Sequence, residues 1–368
     1  MAEQHVEKWR LNLTRHQDTL SAWWTTDGWA EEYTAPLDRV IQKSISVREV
    51  LRRLNEFAHA NHQSSEAWEG NEFKSLIYDL QQEGEDLYLA LLKSDDGKTG
   101  ELIKSRLAQV ERLELSIVVN KGMALPLGFL FPSHCKPPRV TGRTLDAFKG
   151  FWVVDHQITM TAKGGSCLRK KTDDVKVLYA LDTDQFLELI ETLHLHDDWD
   201  PLLTLDVGHA GDWSTASAKW REITDARDSD NVFFLFGHND KSGFHLGPND
   251  RKSRDKFIDQ FKRRPTDTGS TLLFMNGCST VGDGDSSFLE VAGRPGFCGA
   301  IGTEAEIAND FAITYAGRLL NKLLLSGSPT SLGDAFHAMM HEADLFPRNL
   351  LYTCYAYPDF TVAVRRAS

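Results

Sequence analysis

Between residues 175 and 303, short two-sided apolar runs alternate with amphipathic ones. VKVLYALD (175–182) is followed by DQFLELIETLHL, PLLTLDVG (201–208) by STASAKWREITDA, VFFLFGH (232–238) by SRDKFIDQFKRR, and TLLFMNGC (271–278) by SSFLEVAG. A strand with apolar residues on both faces has no wet side, so it must be covered above and below, and an intervening helix supplies each cover. The pattern predicts an α/β fold: a mostly parallel sheet flanked by helices on both faces. FCGAIGT (297–303) adds a fifth strand. Two longer helical stretches, IANDFAITYAGRLLNKLL and SLGDAFHAMMHEAD, lead to a closing LLYTCYAY.

Upstream the pattern is mainly helical. SVREVLRRLNEFAHA, EFKSLIYDLQQEGEDLYLALLKS and TGELIKSRLAQVE carry apolar residues at intervals of three and four, and the strand LELSIVV (113–119) and the segment ALPLGFLF follow. The prolines and glycine of PSHCKPPRVTG put the internal boundary in the neighbourhood of residues 132–144. The chain divides there into a helical N-terminal part, 1–140, and an α/β domain, 141–368. With 368 residues, 41% of them hydrophobic, it can bury one large core or two ordinary ones.

A net charge of −12 argues against a nucleic-acid surface as the main partner. No stretch approaches the roughly 18 apolar residues of a membrane span. The start MAEQHVEKWRLNL lacks the apolar core and cleavage site of an export signal, so the expected location is the cytoplasm. The cysteines Cys135, Cys167, Cys278, Cys298 and Cys354 are odd in number and show no CxxC pairing, which fits reduced thiols better than a disulfide frame or a zinc site.

Two of the apolar runs end on reactive side chains. VFFLFGH closes on His238 and TLLFMNGC on Cys278. In open parallel sheets, reacting groups collect beyond the carboxyl ends of the strands. Sequential strands are usually neighbours, which would set these side chains across one crevice at about 5–7 Å. A thiol and an imidazole so placed are a nucleophile and its base. Singly, each also has a structural reading, a satisfied half-buried histidine and a small core cysteine; the pairing is what favours chemistry. Gly237 and Gly277 would leave room for a substrate backbone, and the N–H groups of Asn239 and Cys278 could hold a developing oxyanion.

The succession of GH, NGCST, GFCGAIGT, SLGDAFHAMMHEA and LLYTCYAYPDF resembles the CHAT domains, caspase-like cysteine peptidases related to separase. EGEDLYLALL, LELSIVV and ALPLGFLF resemble the family's amino-terminal part, so the likeness runs from about residue 70 to 366. The resemblance implies a caspase-like sheet and a cysteine endopeptidase of bacterial type, with Cys278 as nucleophile, His238 as base and no metal or organic cofactor. It also implies a protein substrate, an activating protein partner, and a place in antiviral defence or cell death, where gasdermin-like pore formers are among the family's substrates. Asn239 stands where the family has glycine. It keeps the N–H but adds a side chain beside the oxyanion position, and restoring glycine is expected to leave turnover equal or higher.

By the same resemblance, the pocket for the residue before the cut would draw on Asp182, Asn276, Glu304 and Glu306. An acidic lining favours Arg or Lys there; plain solvation of each carboxylate is the other reading. The rival function is a catalytically inactive caspase-like scaffold that binds a partner through the same crevice.

Other signals are set aside. Asp283 and Asp285 in GDGDSS could hold calcium or meet a basic residue, but such a stretch also reads as a solvated loop. His337 and His341 stand one helical turn apart without an HExxH glutamate or a third ligand. DDGKTG contains GKT, yet Leu92 replaces the first P-loop glycine and no strand precedes it, so it reads as a turn before a helix. Cys298, inside FCGAI, reads as core.

Overall fold

In the computed structural model the chain opens with three strands, not helices. The structure describes all residues except 1–5, 63, 121–122, 138, 165–174, 206, 226–229, 241–242, 248–249, 254–255, 258, 260–269, 283–288, 327 and 363–368. β1 (Glu7–His16), β2 (Thr19–Thr26) and β3 (Trp29–Pro36) form an antiparallel meander. This corrects the helical reading of the extreme N-terminal part. Trp9, Leu11 and Leu13 alternate inward along β1, and Asp27-Gly28 makes the β2–β3 turn with Gly28 at φ 76°.

The expected helices follow as α1 (Leu37–Ala60), α2 (Ser65–Glu69), α3 (Asn71–Leu91) and α4 (Thr99–Leu107), with Asp96 of DDGKTG accepting the Lys98 and Thr99 N–H groups ahead of α4. β4 (Leu113–Val119) pairs parallel with β1, and after α5 (Trp152–Asp155), β5 (Gln157–Ala162) pairs parallel with β4. β5 lies beyond the 132–144 stretch in the chain, yet its long pairing is with the first part.

The second part runs β6 (Val175–Leu181), α6 (Thr183–Leu193), α7 (His196–Leu203), β7 (Val207–Ala210), α8 (Trp213–Asp225) and β8 (Asp230–Phe236). A small three-stranded sheet follows, of β9 (His238–Asp240), β10 (Gly243–His245) and β11 (Arg251–Lys252). Then come β12 (Thr271–Asn276), α9 (Leu289–Ala292), β13 (Phe297–Thr303), α10 (Asn309–Leu324), β14 (Thr330–Ser331), α11 (Leu332–Met340), β15 (Tyr352–Ala356) and β16 (Thr361–Val362). PLLTLDVG is not one strand: its first three residues, Pro201 included, end α7, and only Val207 onward is extended.

One eleven-stranded sheet spans the chain in the order β3-β2-β1-β4-β5-β15-β13-β12-β8-β6-β7. β7, β6, β8, β12 and β13 are parallel, and β15 runs antiparallel to β13. The two portions meet where Tyr355 of β15 pairs with Met160 of β5. Alternate residues of each central strand enter two different cores. Phe233, Leu235, Leu273 and Met275 join the one that includes Trp213 and Trp220 of α8. Val232, Phe234, Phe236, Leu272 and Phe274 join the one built on α6, α7, α10 and α11. Burial on both faces is what the two-sided runs predict. Among the described residues, no helix is long and apolar enough to cross a membrane.

Candidate functional site

The strand order reverses around β6, which has β7 on one side and β8 on the other. Chain connections diverge at such a switch point and leave a crevice at the carboxyl edge. Asp182, at the end of β6, donates its N–H to the Phe236 carbonyl at 2.9 Å. The last paired residues of β8 and β12 are Phe236 and Asn276. His238 and Cys278 therefore each stand two residues beyond the same rung of adjacent strands, at the same edge of the sheet.

The two glycines between rung and side chain serve packing, not substrate approach as expected. A Cβ on Gly237 would lie 2.1 Å from the His245 carbonyl oxygen, and one on Gly277 would lie 2.7 Å from the Gly237 oxygen and 3.0 Å from the Phe244 ring. Phe244 of β10 crowds both positions, joined by His245 at Gly237 and by the Gly237 backbone at Gly277.

Hydrogen bonds pin the Cys278 turn to the end of β13. Thr303 Oγ1 donates to the Gly277 carbonyl at 2.5 Å, Thr280 Oγ1 accepts the Thr303 N–H at 2.9 Å, and Ser279 N–H donates to Ala305 O at 3.0 Å. Ser279 adopts φ 48°, a left-handed conformation costly for a residue with a side chain. On the other side, the buried Asn239 donates through Nδ2 to the Cys278 carbonyl at 2.6 Å, while its Oδ1 has no partner among the described residues. The Cys278–Ser279 peptide is thus held at both ends. Asn239 is more than a perturbation of a glycine position, since it ties the histidine's strand to the cysteine's turn.

The Cys278 thiol is half-buried and donates to the Ile307 carbonyl at 3.4 Å, not to His238. Burial pushes the thiol's pKa up, the hydrogen bond with the Ile307 backbone offsets part of the rise, and the Glu306 carboxylate adds to it. Among the described residues, the Cys278 N–H has no hydrogen-bond acceptor. His238 is exposed, 64% by side-chain area, with Nε2 3.9 Å from Asp240 Oδ2. Its ring centroid lies 5.7 Å from that of His245, whose Nε2 is 3.3 Å from the same carboxylate oxygen.

The four substrate-binding candidates divide. Asp182 is half-buried at the crevice edge and Glu306 is exposed beside the cysteine. Asn276 is buried and fully engaged, donating to Ala312 O and accepting the Tyr352 hydroxyl, so it is part of the wall. Glu304 is no free carboxylate. One oxygen accepts Nε and Nη2 of Arg48 at 3.0 and 2.9 Å, the other accepts the Thr353 hydroxyl, and its side chain is wholly buried. Neither Arg48 nor Asn55, which donates to Glu306 O at 3.0 Å, was indicated by sequence motifs. The available signal was a charge at Arg48, next to Val47 and three residues before Leu51 on a helical apolar face.

Cys298 is buried in the core, 1% exposed. His337 and His341 pack ring to ring, centroids 4.6 Å apart. Asp283, Asp285 and Cys167 lie outside the described residues. Among the described residues, no three His, Cys, Asp or Glu side chains gather as metal ligands.

No family model matches the sequence, and no curated protein does. Among solved structures, the 3.0 Å crystal structure of the Saccharomyces cerevisiae separase–securin complex is similar at 9% identity with a TM-score of 0.49, over 96% of this chain. The 2.6 Å structure of that complex is similar at 9% identity with a TM-score of 0.47, over 97% of this chain. In both, the chain spans 30% of the length of the chain it matches.

Proposed function

We propose that this chain is a cysteine endopeptidase of the CHAT or caspase-like kind acting on a protein substrate. One observation carries the reading: a thiol and an imidazole follow the carboxyl ends of two adjacent parallel strands, one of which, β8, borders the switch point of the sheet. In the reaction, His238 takes the Cys278 proton and the sulfur bonds to the peptide carbonyl carbon. The carbonyl electrons move onto oxygen, which the unengaged Cys278 N–H stabilises together with that of Asn239. The oxyanion collapses, the C–N bond breaks and His238 returns the proton to the leaving amine. Water then hydrolyses the thioester with the same histidine as base.

Asp182 and Glu306 are the carboxylates left to favour a basic residue before the cut. A cytoplasmic setting, release by a protein partner, and a defence or cell-death role with a gasdermin-like substrate belong to this proposal through the resemblance alone.

The thiol's bond to Ile307 O favours a second reading, an inactive scaffold. A peptide aldehyde or acyloxymethyl ketone with Arg at its reactive end separates the two. A peptidase forms an adduct on Cys278, loses it with Cys278→Ala, and loses about 10²–10⁴ of the rate with His238→Ala. Adduct formation indifferent to His238 removes the base and with it the peptidase.

A further inference from the structure

Residues 304–307 leave β13 and pass Cys278 as a strap bonded to α1, to the cysteine's turn and to the start of β15. One Glu304 oxygen accepts both Nε and Nη2 of Arg48 in α1, and Arg48 Nη2 also donates to Ala124 O at 3.0 Å. Ala305 O takes the Ser279 N–H, Glu306 O takes Asn55 Nδ2, and Ile307 O takes the Cys278 thiol. Glu306 bonds to α1 and Ala305 and Ile307 to the cysteine's turn, while Glu304 bonds to α1 through its side chain and is also held beside β15, by the Thr353 hydroxyl and by its own N–H to Leu351 O at 2.9 Å. Arg48 and Asn55 are seven apart, two helical turns, so they share one face of α1, and both are buried there although polar. Glu304, Ala305 and Ile307 are buried as well, so little water is at hand to replace a lost bond.

We propose that Arg48 and Asn55 are positioning residues for Cys278: through the strap 304–307, α1 of the amino-terminal part sets where the thiol sits and which acceptor its proton faces. The thiol proton points to Ile307 O, and transfer to His238 requires the S–H to turn away from that carbonyl and give up its bond. A strap freed from α1 lets the sulfur go. The inference rests on reading Cys278 as the nucleophile, but its test needs no turnover.

The full-length chain is alkylated with iodoacetamide across pH 6.5–10, and labelling of each cysteine is followed by peptide mass spectrometry. The parent is compared with Asn55→Leu and with the double variant Arg48→Met/Glu304→Gln, which removes the buried charges together and so avoids stranding one. In Asn55→Leu the Cys278 rate at pH 7.5 rises about fivefold, the population shift given by one net hydrogen bond. The midpoint of its pH profile moves down toward an ordinary thiol as burial is relieved. The double variant moves the same way and further, and buried Cys298 stays unlabelled in both. Parent-like Cys278 rates in both variants overturn the proposal. So does a rise of Cys298 in step with Cys278, which is general loosening. If the peptide probe is inert toward every variant while the alkylation shift is present, the peptidase is lost and the strap stands.

Discussion

The Arg48–Glu304 pair permits a stability prediction whose size follows from burial. The glutamate side chain is wholly enclosed and the arginine side chain is 10% exposed, so neither charge can be rehydrated without moving the strap. Arg48→Met leaves the carboxylate with only the Thr353 hydroxyl, and an uncompensated buried charge of this kind costs about 3–5 kcal/mol. Glu304→Gln strands the guanidinium in turn, but the amide oxygen and the Ala124 carbonyl still accept from it, so its cost lies at the lower end of the same range, about 3 kcal/mol. Replacing both removes both desolvated charges, and such double replacements are about neutral or even stabilising. The double variant should therefore lie within about 1–2 kcal/mol of the parent, and the singles should sum to at least ~2 kcal/mol more than the double. Urea midpoints of the four proteins, followed by tryptophan fluorescence, close the cycle. Singles that each cost under ~1 kcal/mol and simply add would be the signature of a solvated surface pair. The picture of a strap bolted to α1 would then be wrong.

Other expectations follow from single groups. His156 is held below the ordinary imidazole range by burial, and its Nδ1 accepts the Leu113 N–H at 3.4 Å, which only the neutral ring can do. The native state thus binds fewer protons than the unfolded one, and stability is lost as pH falls through the ordinary histidine value near 6.5. In His156→Gln the acid limb of urea midpoints between about pH 6.5 and 5 should be shallower; an unchanged slope would mean the ring is protonated in place. Asn239→Gly should slow adduct formation with the peptide probe by about tenfold, opposite to the expectation from the family's glycine, because it frees the Cys278 carbonyl; the melting temperature should move little, since the unpartnered Oδ1 goes too. A rate at or above the parent's would return the side chain to a bystander. Gly237→Ala should destabilise more than Gly277→Ala in urea, because its Cβ meets a backbone oxygen at 2.1 Å, while the Gly277 contacts at 2.7 and 3.0 Å are relieved by smaller shifts. The reverse order would mean the hairpin, not the strand, yields.

The central sheet was legible because its strands carry apolar residues in both phases of the two-residue period, and β6, β8, β12 and β13 lie where the runs lie. Where apolar residues continue without a break the reading slipped. Trp199 and Leu202 of α7 are buried against the same core as the strands, so nothing in PLLTL distinguishes a helix end from a strand start. The first meander left one clear mark, Asp27-Gly28. The matching turn between β1 and β2 is masked, because the residue at positive φ there is Gln17, which carries no turn signature. The β9–β11 hairpin is built from strands of two and three residues, below any length at which periodicity can be read.

The site divides along the same physical line. The place of His238 and Cys278 beyond the strand ends could be read because each ends a run that must be buried, and a polar side chain at that junction has few places to go except the sheet edge. Glu304 was expected in the crevice on equal terms, one residue past the end of β13. It faces the other way because its partner comes from 256 residues upstream, and sequence spacing gives such a partner no address. What sequence does show is the anomaly on the other side: an arginine beside a valine, on the buried stripe of an otherwise amphipathic helix. A buried charge requires an opposite charge, so Arg48 by itself demands that some carboxylate in the chain be absent from the solvent. Glu304 is that carboxylate. An acidic crevice must then be argued from Asp182 and Glu306 alone, and Glu306 has two roles, one through an exposed side chain and one through a carbonyl fixed to α1. If Glu306 holds a substrate arginine as proposed, that arginine would pull on the same four residues that hold the thiol, which ties the proposed subsite to the position of Cys278.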